Sequence, residues 1–101
     1  MSEVKWLNYS FEVYLKDGEW NEVPGVYIFC GTNEQNEWEP YYVGKAKKFS
    51  ARLPNHEQWA AAVRLGATHV HALVVPLEAN RDKIEAELIA AYKPPLNVQL
   101  K

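Results

Sequence analysis

The order of apolar and polar positions divides the chain into segments of different period. Over the first twenty-odd residues Trp6, Tyr9, Phe11, Val13 and Leu15 alternate loosely with polar neighbours as far as Asp17-Gly18. This pattern predicts a strand or short hairpin closed by a turn. Pro24-Gly25 punctuates the chain, and the β-branched and aromatic run Val26-Tyr27-Ile28-Phe29-Cys30 then predicts a buried strand. Gly31 to Pro40 is polar and reads as a connecting loop, after which Tyr41-Tyr42-Val43 makes a second strand ending at Gly44. Two strands joined in this way pair most simply as antiparallel neighbours.

From Ala46 the apolar spacing lengthens. Phe49 and Leu53, four apart among Lys, Ser and Arg, predict a helix that Pro54 ends. Asn55 is placed to cap a second helix through Trp59, Ala62, Val63 and Leu65, with Gly66 as its stop. Thr68 to Val75 is the strongest strand signal, and a last helix runs from about Asn80 to Tyr92 before Lys93-Pro94-Pro95. Strand, strand, helix, helix, strand, helix is the order of an α+β domain, a small three-stranded antiparallel sheet flanked by helices.

Composition sets the limits of that picture. The 101 residues suit one domain, 48% are apolar, and the 24% that are charged exclude a disordered chain. No stretch approaches the ~20 apolar residues of a membrane span, and the N-terminus lacks the basic-then-apolar order of a secretory signal. A soluble protein of the cytoplasm is expected. Cys30 is alone, which rules out an internal disulfide and argues against a cysteine-based zinc site. The net charge of −2 does not suggest a nucleic-acid partner, but its distribution is uneven. Residues 1–40 hold eight acids and two bases, residues 41–101 five acids and nine bases. Lys45, Lys47, Lys48 and Arg52 fall together with no acid between them, either as a solvated helix face or as a patch able to meet a phosphate backbone.

Carboxylates, tyrosines and histidines are the candidates for chemistry. At ~100° per residue the apolar stripe of the last helix runs through Ile84, Leu88, Ile89, Ala91 and Tyr92. Glu85 lies roughly 60° from its middle, Glu87 and Asp82 roughly 100° or more. Glu85 is therefore the acid expected at the edge of the core, where it needs either a cationic partner such as Arg52 or a hard divalent cation. Tyr27 and Tyr42 each lie on a strand beside a glycine, where core packing is the commoner role. His69 and His71 share one face of a strand, as a wet-face pair or, less often, as metal ligands. His56 sits at a helix start beside Arg52, either facing phosphate or on the surface.

Together the motifs resemble the GIY-YIG nuclease family, and within it the N-terminal nuclease domain of the UvrC proteins. Gly25-Val26-Tyr27 is similar to the first motif and Tyr42-Val43-Gly44 to the second, with Val for Ile in both and a longer spacing between them. Lys45-Ala46-Lys47, Arg52-Leu53, Glu85-Ala86-Glu87-Leu88-Ile89, Tyr92-Lys93-Pro94 and Asn97 follow in the family's order, and Glu85 fits the family's glutamate where Glu87 does not. The likeness covers about residues 24–97 of a single domain spanning 1–101; residues 1–23 are an extension to which it assigns no role.

What the resemblance implies is a metal-dependent endonuclease that hydrolyses DNA phosphodiester bonds, in repair, recombination or mobile-element processing. Glu85 would hold one Mg²⁺ or Mn²⁺, Arg52 would pair with phosphate oxygens, and Tyr27 or Tyr42 would orient the attacking water or accept its proton. Gly44, Lys45, Lys47, His56 and Asn97 would support the site or bind phosphate. DNA is the implied partner, with a further protein supplying substrate choice. The alternative is a nucleic-acid-binding module of the same fold without useful catalysis.

Overall fold

The computed structural model describes residues 2–97. Five strands, β1 (Glu3–Trp6), β2 (Tyr9–Leu15), β3 (Gly25–Thr32), β4 (Trp38–Ala46) and β5 (His69–Val74), form one sheet in the order β1-β2-β5-β3-β4. Every neighbouring pair is antiparallel. Helices α1 (Phe49–Arg52) and α2 (Trp59–Leu65) join β4 to β5, and α3 (Glu78–Tyr92) follows β5.

The expectation of three strands is corrected to five. The three anticipated from the strongest apolar runs are β3, β4 and β5, at one side of the sheet. The loosely patterned N-terminus folds into a real hairpin, β1–β2, and β2 pairs along β5 from Glu12↔Ala72 to Leu15↔His69. Its signal was weak because only one side chain in two faces the core, so Phe11 is fully buried while Glu12 and Tyr14 are half-buried. The hairpin turns at Leu7-Asn8, and the expected turn at Asp17-Gly18 ends β2, with the Gly18 N–H donating to the Leu15 carbonyl at 3.1 Å. Leu7 adopts the left-handed backbone region at φ 57°, and its N–H donates to the Tyr92 hydroxyl at 2.9 Å, tying the turn to the end of α3.

The segment read as a loop, 31–40, is largely hairpin as well. β3 runs on to Thr32 and β4 begins at Trp38. Asn33 organises the tip, its side-chain oxygen accepting the N–H groups of Gln35 and Glu37 at 2.8 and 3.0 Å. Pro40 is tolerated because β4 is an edge strand. The register shifts there: Phe29 faces Tyr42 and Cys30 faces Pro40, leaving Tyr41 as the extra residue of a bulge.

β3 is buried on both faces, which its unbroken apolar run requires. Tyr27 and Phe29 point to one face and pack with Phe49, Leu53 and Ala62 beneath α1 and α2. Val26, Ile28 and Cys30 point to the other and meet Ile84 and Leu88 of α3, together with Trp6 and Phe11 from the hairpin. α3 begins at Glu78, two residues ahead of the expected start, and Lys93 ends it in the left-handed region at φ 47° before Pro94. Its buried face runs through Arg81, Ile84 and Leu88, so the stripe is shifted toward the N-terminus, and Ala91 and Tyr92 are exposed. Arg81 is accommodated because its Nη1 donates to the carbonyls of Val75 and Pro76 at 3.0 and 2.9 Å. α2 starts at Trp59 with Gln58, not Asn55, at its N-cap, and Gly66 closes it with φ 117°. No helix among the described residues is long and apolar enough to cross a membrane.

Candidate active site

The strongest convergence of polar chemistry lies at the β4 edge of the sheet, where side chains from both faces come within reach of one another. Tyr27 on β3 is fully buried, and its hydroxyl lies 2.6 Å from His56 Nε2. The tautomer follows from the other ring nitrogen. His56 Nδ1 accepts the backbone N–H of Gln58 at 3.0 Å, so in the neutral ring the proton sits on Nε2 and is donated to the Tyr27 oxygen. The Tyr27 hydroxyl hydrogen is thereby left free to point elsewhere. Burial pushes the Tyr27 phenol well above its ordinary range, with Tyr42 adding to the shift and Arg52 opposing it. Burial raises Tyr42 too, against the pull of Arg52. Burial and the Arg52 charge hold His56 down to about 4, so it is neutral at physiological pH.

Gly44 stands directly across the ladder from Tyr27. A Cβ at this position would collide with the Tyr27 hydroxyl and ring, so the glycine is required for close approach, not for backbone conformation. Tyr42, half-buried, packs between the rings of Phe29 and His56 at centroid distances of 5.7 and 5.1 Å.

Arg52 ends α1, whose position is set from outside the helix. The first two amides of α1 donate to the carbonyls of Val23 and Asn21 at 2.9 and 3.1 Å, while Phe49 and Leu53 anchor it in the core. Arg52 is not the partner of Glu85. Its guanidinium takes the Glu57 carboxylate in a two-point contact, both bonds 2.8 Å, which holds Glu57 down at about 2. Glu85 meets Lys45 at 3.6 Å, and Lys45 is bound more closely by Asp82, at 2.6 Å.

The half-buried Glu85 is therefore incompletely neutralised. Desolvation raises its pKa more than Lys45 lowers it. Among the described residues no cluster of three or more His, Cys, Asp or Glu could hold a metal by protein ligands alone. A single carboxylate of this kind suits a hard cation that keeps waters and takes substrate phosphate oxygens, the habit of Mg²⁺. The donor set fits such an ion and not a zinc-type cage.

Asn97 works from behind. Its side-chain amide donates to the Val43 carbonyl at 2.8 Å, and its oxygen accepts the Val43 N–H at 2.7 Å. Leu96 N–H also bonds the Tyr41 carbonyl, so the chain after α3 pairs along the outer edge of β4 and fixes the strand that carries Tyr42 and Gly44. Lys45, Lys47, Lys48 and Arg52 line a basic groove of about 450 Å³ together with Ala46 and Ala51. A larger depression of about 550 Å³, between Trp20 and Trp59, contains none of these residues.

No family model matches the chain. Individual proteins do. UvrABC system protein C of Thermotoga maritima is 40% identical over 84 residues, covering 79% of this chain and 14% of the relative, and that of Thermosipho africanus is 34% identical over 85 residues, covering 80% and 14%. The solved GIY-YIG N-terminal endonuclease domain of UvrC from Thermotoga maritima, bound to its catalytic divalent cation, magnesium, superposes with a TM-score of 0.64 at 36% identity, over 78% of this chain and 88% of that domain.

The chain belongs to the GIY-YIG endonuclease family. It corresponds to one domain of the longer UvrC proteins and spans about a seventh of their length. In this GIY-YIG domain the two tyrosines, Gly44, Arg52, His56 and Glu85 come from β3, β4, α1, the turn after it and α3, and meet at one end of the sheet. Burial raises both phenols, with Arg52 opposing the rise and Glu85 adding to it. Lys47 reaches the basic groove but touches no acid among the described residues. His69 and His71 take no part. They lie on the opposite face, where His71 is fully buried and accepts the Trp6 indole N–H at 2.9 Å. Sequence reading missed Glu57 and Asp82 as partners of the two key cations. Neither has a local signal, because the Glu57 contact needs the turn after α1 and the Asp82 contact needs α3 packed on β4.

Proposed function

We propose that this GIY-YIG domain is a metal-dependent endonuclease that hydrolyses phosphodiester bonds in DNA. The observation that carries the reading is the cluster in which Tyr27 meets His56 and Tyr42, with Arg52 on the adjoining helix end and Glu85 held beside β4 by Lys45. Arg52 binds two oxygens of the scissile phosphate through its planar fork, and Lys45 and Lys47 hold the flanking backbone in the basic groove. His56 donates Nε2–H to the Tyr27 oxygen, which leaves the Tyr27 hydroxyl hydrogen to hold the attacking water by a hydrogen bond and orient it toward phosphorus, the proton that this water loses passing to a phosphate oxygen or to solvent. Both phenols stay protonated at neutral pH in the unliganded site, which favours an orienting role over that of an unaided base. Glu85 supplies the carboxylate for one Mg²⁺ or Mn²⁺, which would contribute Lewis acidity at the phosphoryl and leaving oxygens and positive charge beside the phenols. Asn97 holds β4 in register so that Tyr42 and Gly44 keep their places.

The kinship with UvrC supports a role in nucleotide-excision repair, in the cytoplasm, with a partner protein supplying substrate choice. A second reading, a nucleic-acid-binding module without catalysis, is favoured by one observation: the Arg52 fork is already occupied by Glu57.

Purified protein incubated with supercoiled, single-stranded and branched DNA, with Mg²⁺, with Mn²⁺ and with chelator, separates the two. Nicking should require metal and be lost in Glu85→Ala and Arg52→Ala proteins that remain folded. Cleavage that persists in chelator and in Glu85→Ala would falsify the site. DNA binding without cleavage under every condition establishes the second reading.

A further inference from the structure

Glu57 approaches Arg52 end-on. Nη1 donates to Oε1 and Nη2 to Oε2, both at 2.8 Å. This is the face of the guanidinium that matches two oxygens of a phosphate, and a carboxylate presents the same two-oxygen edge. The contact is built into the fold. Leu53 is buried in the core, His56 is buried under the Tyr27 hydroxyl, and α2 starts at Trp59, so the backbone is pinned on both sides of Glu57. Glu57 is thus presented to Arg52 across a short turn whose two ends are immobilised. The neighbouring cations differ: among the described residues Lys47 and Lys48 have no acid partner, and Lys45 is held by acids of α3.

We propose that Glu57 is an internal occupant of the phosphate fork of Arg52, which the DNA backbone must displace, so that Glu57 sets the affinity for DNA and not the rate of bond cleavage. The proposal rests on the reading of Arg52 as the phosphate contact. Displacement is feasible because the pair is in water's reach: the side chains are 36% and 65% exposed, and exposed ion pairs are individually weak. Phosphate then takes the two N–H donors, and the released carboxylate turns out to solvent, away from the negative backbone. A site with this device binds DNA less tightly than its cations would allow, and its binding falls less steeply with added salt, because the freed carboxylate takes up part of the counterion that the phosphate gives up.

The test is a binding series with a short fluorescein-labelled duplex in chelator, where no cleavage competes, using wild type, Glu57→Gln, Glu57→Asp, Arg52→Lys and the Arg52→Lys/Glu57→Gln double variant. Circular dichroism checks that each remains folded, which the exposure of Glu57 makes the expected result. Glu57→Gln should tighten binding about 3- to 10-fold, and in Mg²⁺ its KM should fall by a like factor with kcat changed less than about 2-fold. Glu57→Asp keeps the charge but is one methylene short of closing the fork, and should recover much of the gain. In the Arg52→Lys background Glu57→Gln should add little, because lysine has no fork to occupy.

Binding by Glu57→Gln that is unchanged or weaker overturns the proposal and makes Glu57 a positioning residue for Arg52. A gain that survives in the Arg52→Lys background, or one seen with Gln while Asp behaves as wild type, overturns it in favour of general charge repulsion. Should no variant nick DNA while the binding series runs as expected, the nuclease reading fails and the competition for the fork stands. DNA binding absent throughout sinks both.

Discussion

Acid should unfold this protein sooner than its carboxylates alone would, because two histidines are buried as neutral rings. His71 is fully buried and His56 is 5% exposed. His71 Nδ1 accepts the Trp6 indole N–H at 2.9 Å, and the ring packs edge-on against Trp38 at 4.4 Å. Its Nε2 has no hydrogen-bonding partner among the described residues. A proton added at Nδ1 would set one donor against another and bury a charge as well. The same holds for His56, whose Nδ1 accepts the Gln58 N–H. Burial holds both rings at about 4; the His69 charge pushes His71 further down, and Arg52 does so for His56 while Glu57 opposes it.

The sign follows from linkage. Folded values below the unfolded value of about 6.5 mean that the unfolded chain takes up protons first as pH falls. Stability is complete above about pH 6.5 and is lost between there and about pH 4. Each ring removes about 1.4 kcal/mol per pH unit, so about 3 kcal/mol over the window and roughly 6 kcal/mol for the pair. A domain of this size has about 5–15 kcal/mol in all, so the loss is a large part of it. Glu85, whose pKa is raised, works in the opposite direction and returns a fraction as it protonates. Urea unfolding at a series of pH values, with the two imidazoles followed by NMR, measures the effect. His71→Gln, which keeps an acceptor for Trp6 but cannot titrate, should remove about half of the slope. A urea midpoint constant between about pH 7 and 5, or a His71 ring that titrates near 6.5 in the folded protein, refutes the reasoning.

Three other outcomes are expected. Asn97→Ala loses both bonds to Val43 and should cost about 2 kcal/mol, with faster hydrogen exchange at the Val43 amide as the local sign. Gly44→Ala drives a methyl into the Tyr27 ring, which is backed by Phe29 and Phe49, and should destabilise by about 1–3 kcal/mol; nicking should fall further than the stability loss accounts for, as a comparison of thermal melts with initial rates would reveal. Deletion of residues 2–15 strips β2 from β5 and uncovers the apolar face that Trp6 and Phe11 close, so the truncated chain should aggregate on size exclusion; a stable monomer would contradict the role given to the hairpin.

Legibility followed the strength of local signals. β3 was readable because a strand buried on both faces is apolar throughout, β5 because its valines, alanine and leucine form a run despite two histidines, and α3 because its fifteen residues give the helical period time to appear. The angular argument that set Glu85 nearer the core than Glu87 agrees with side-chain exposures of 23% and 39%. It could not show that Glu87 is taken up by Tyr9 and Lys83, since Tyr9 lies on the distant hairpin. The hairpin itself was faint because its outer positions are polar and one face of β1 meets water. The histidine pair on β5 was expected on a wet face; His69 stays half-buried, and the missing information for His71 was Trp6, which covers it from 65 positions away.

By itself the sequence determined that the chain is α+β, the centres of its most apolar strands and of its helices, and the set of tyrosine, lysine, arginine, glutamate and asparagine motifs that marks the GIY-YIG family. Those properties reside in residue type and in spacing along one element. Tertiary structure alone decided that the sheet has five strands, that Lys45 and not Arg52 attends Glu85, that His56 hands its Nε2–H to Tyr27, and that Glu57 fills the fork of Arg52. Each of these depends on which surfaces meet once the core closes, and pairings between elements leave almost no trace in the local pattern of either partner.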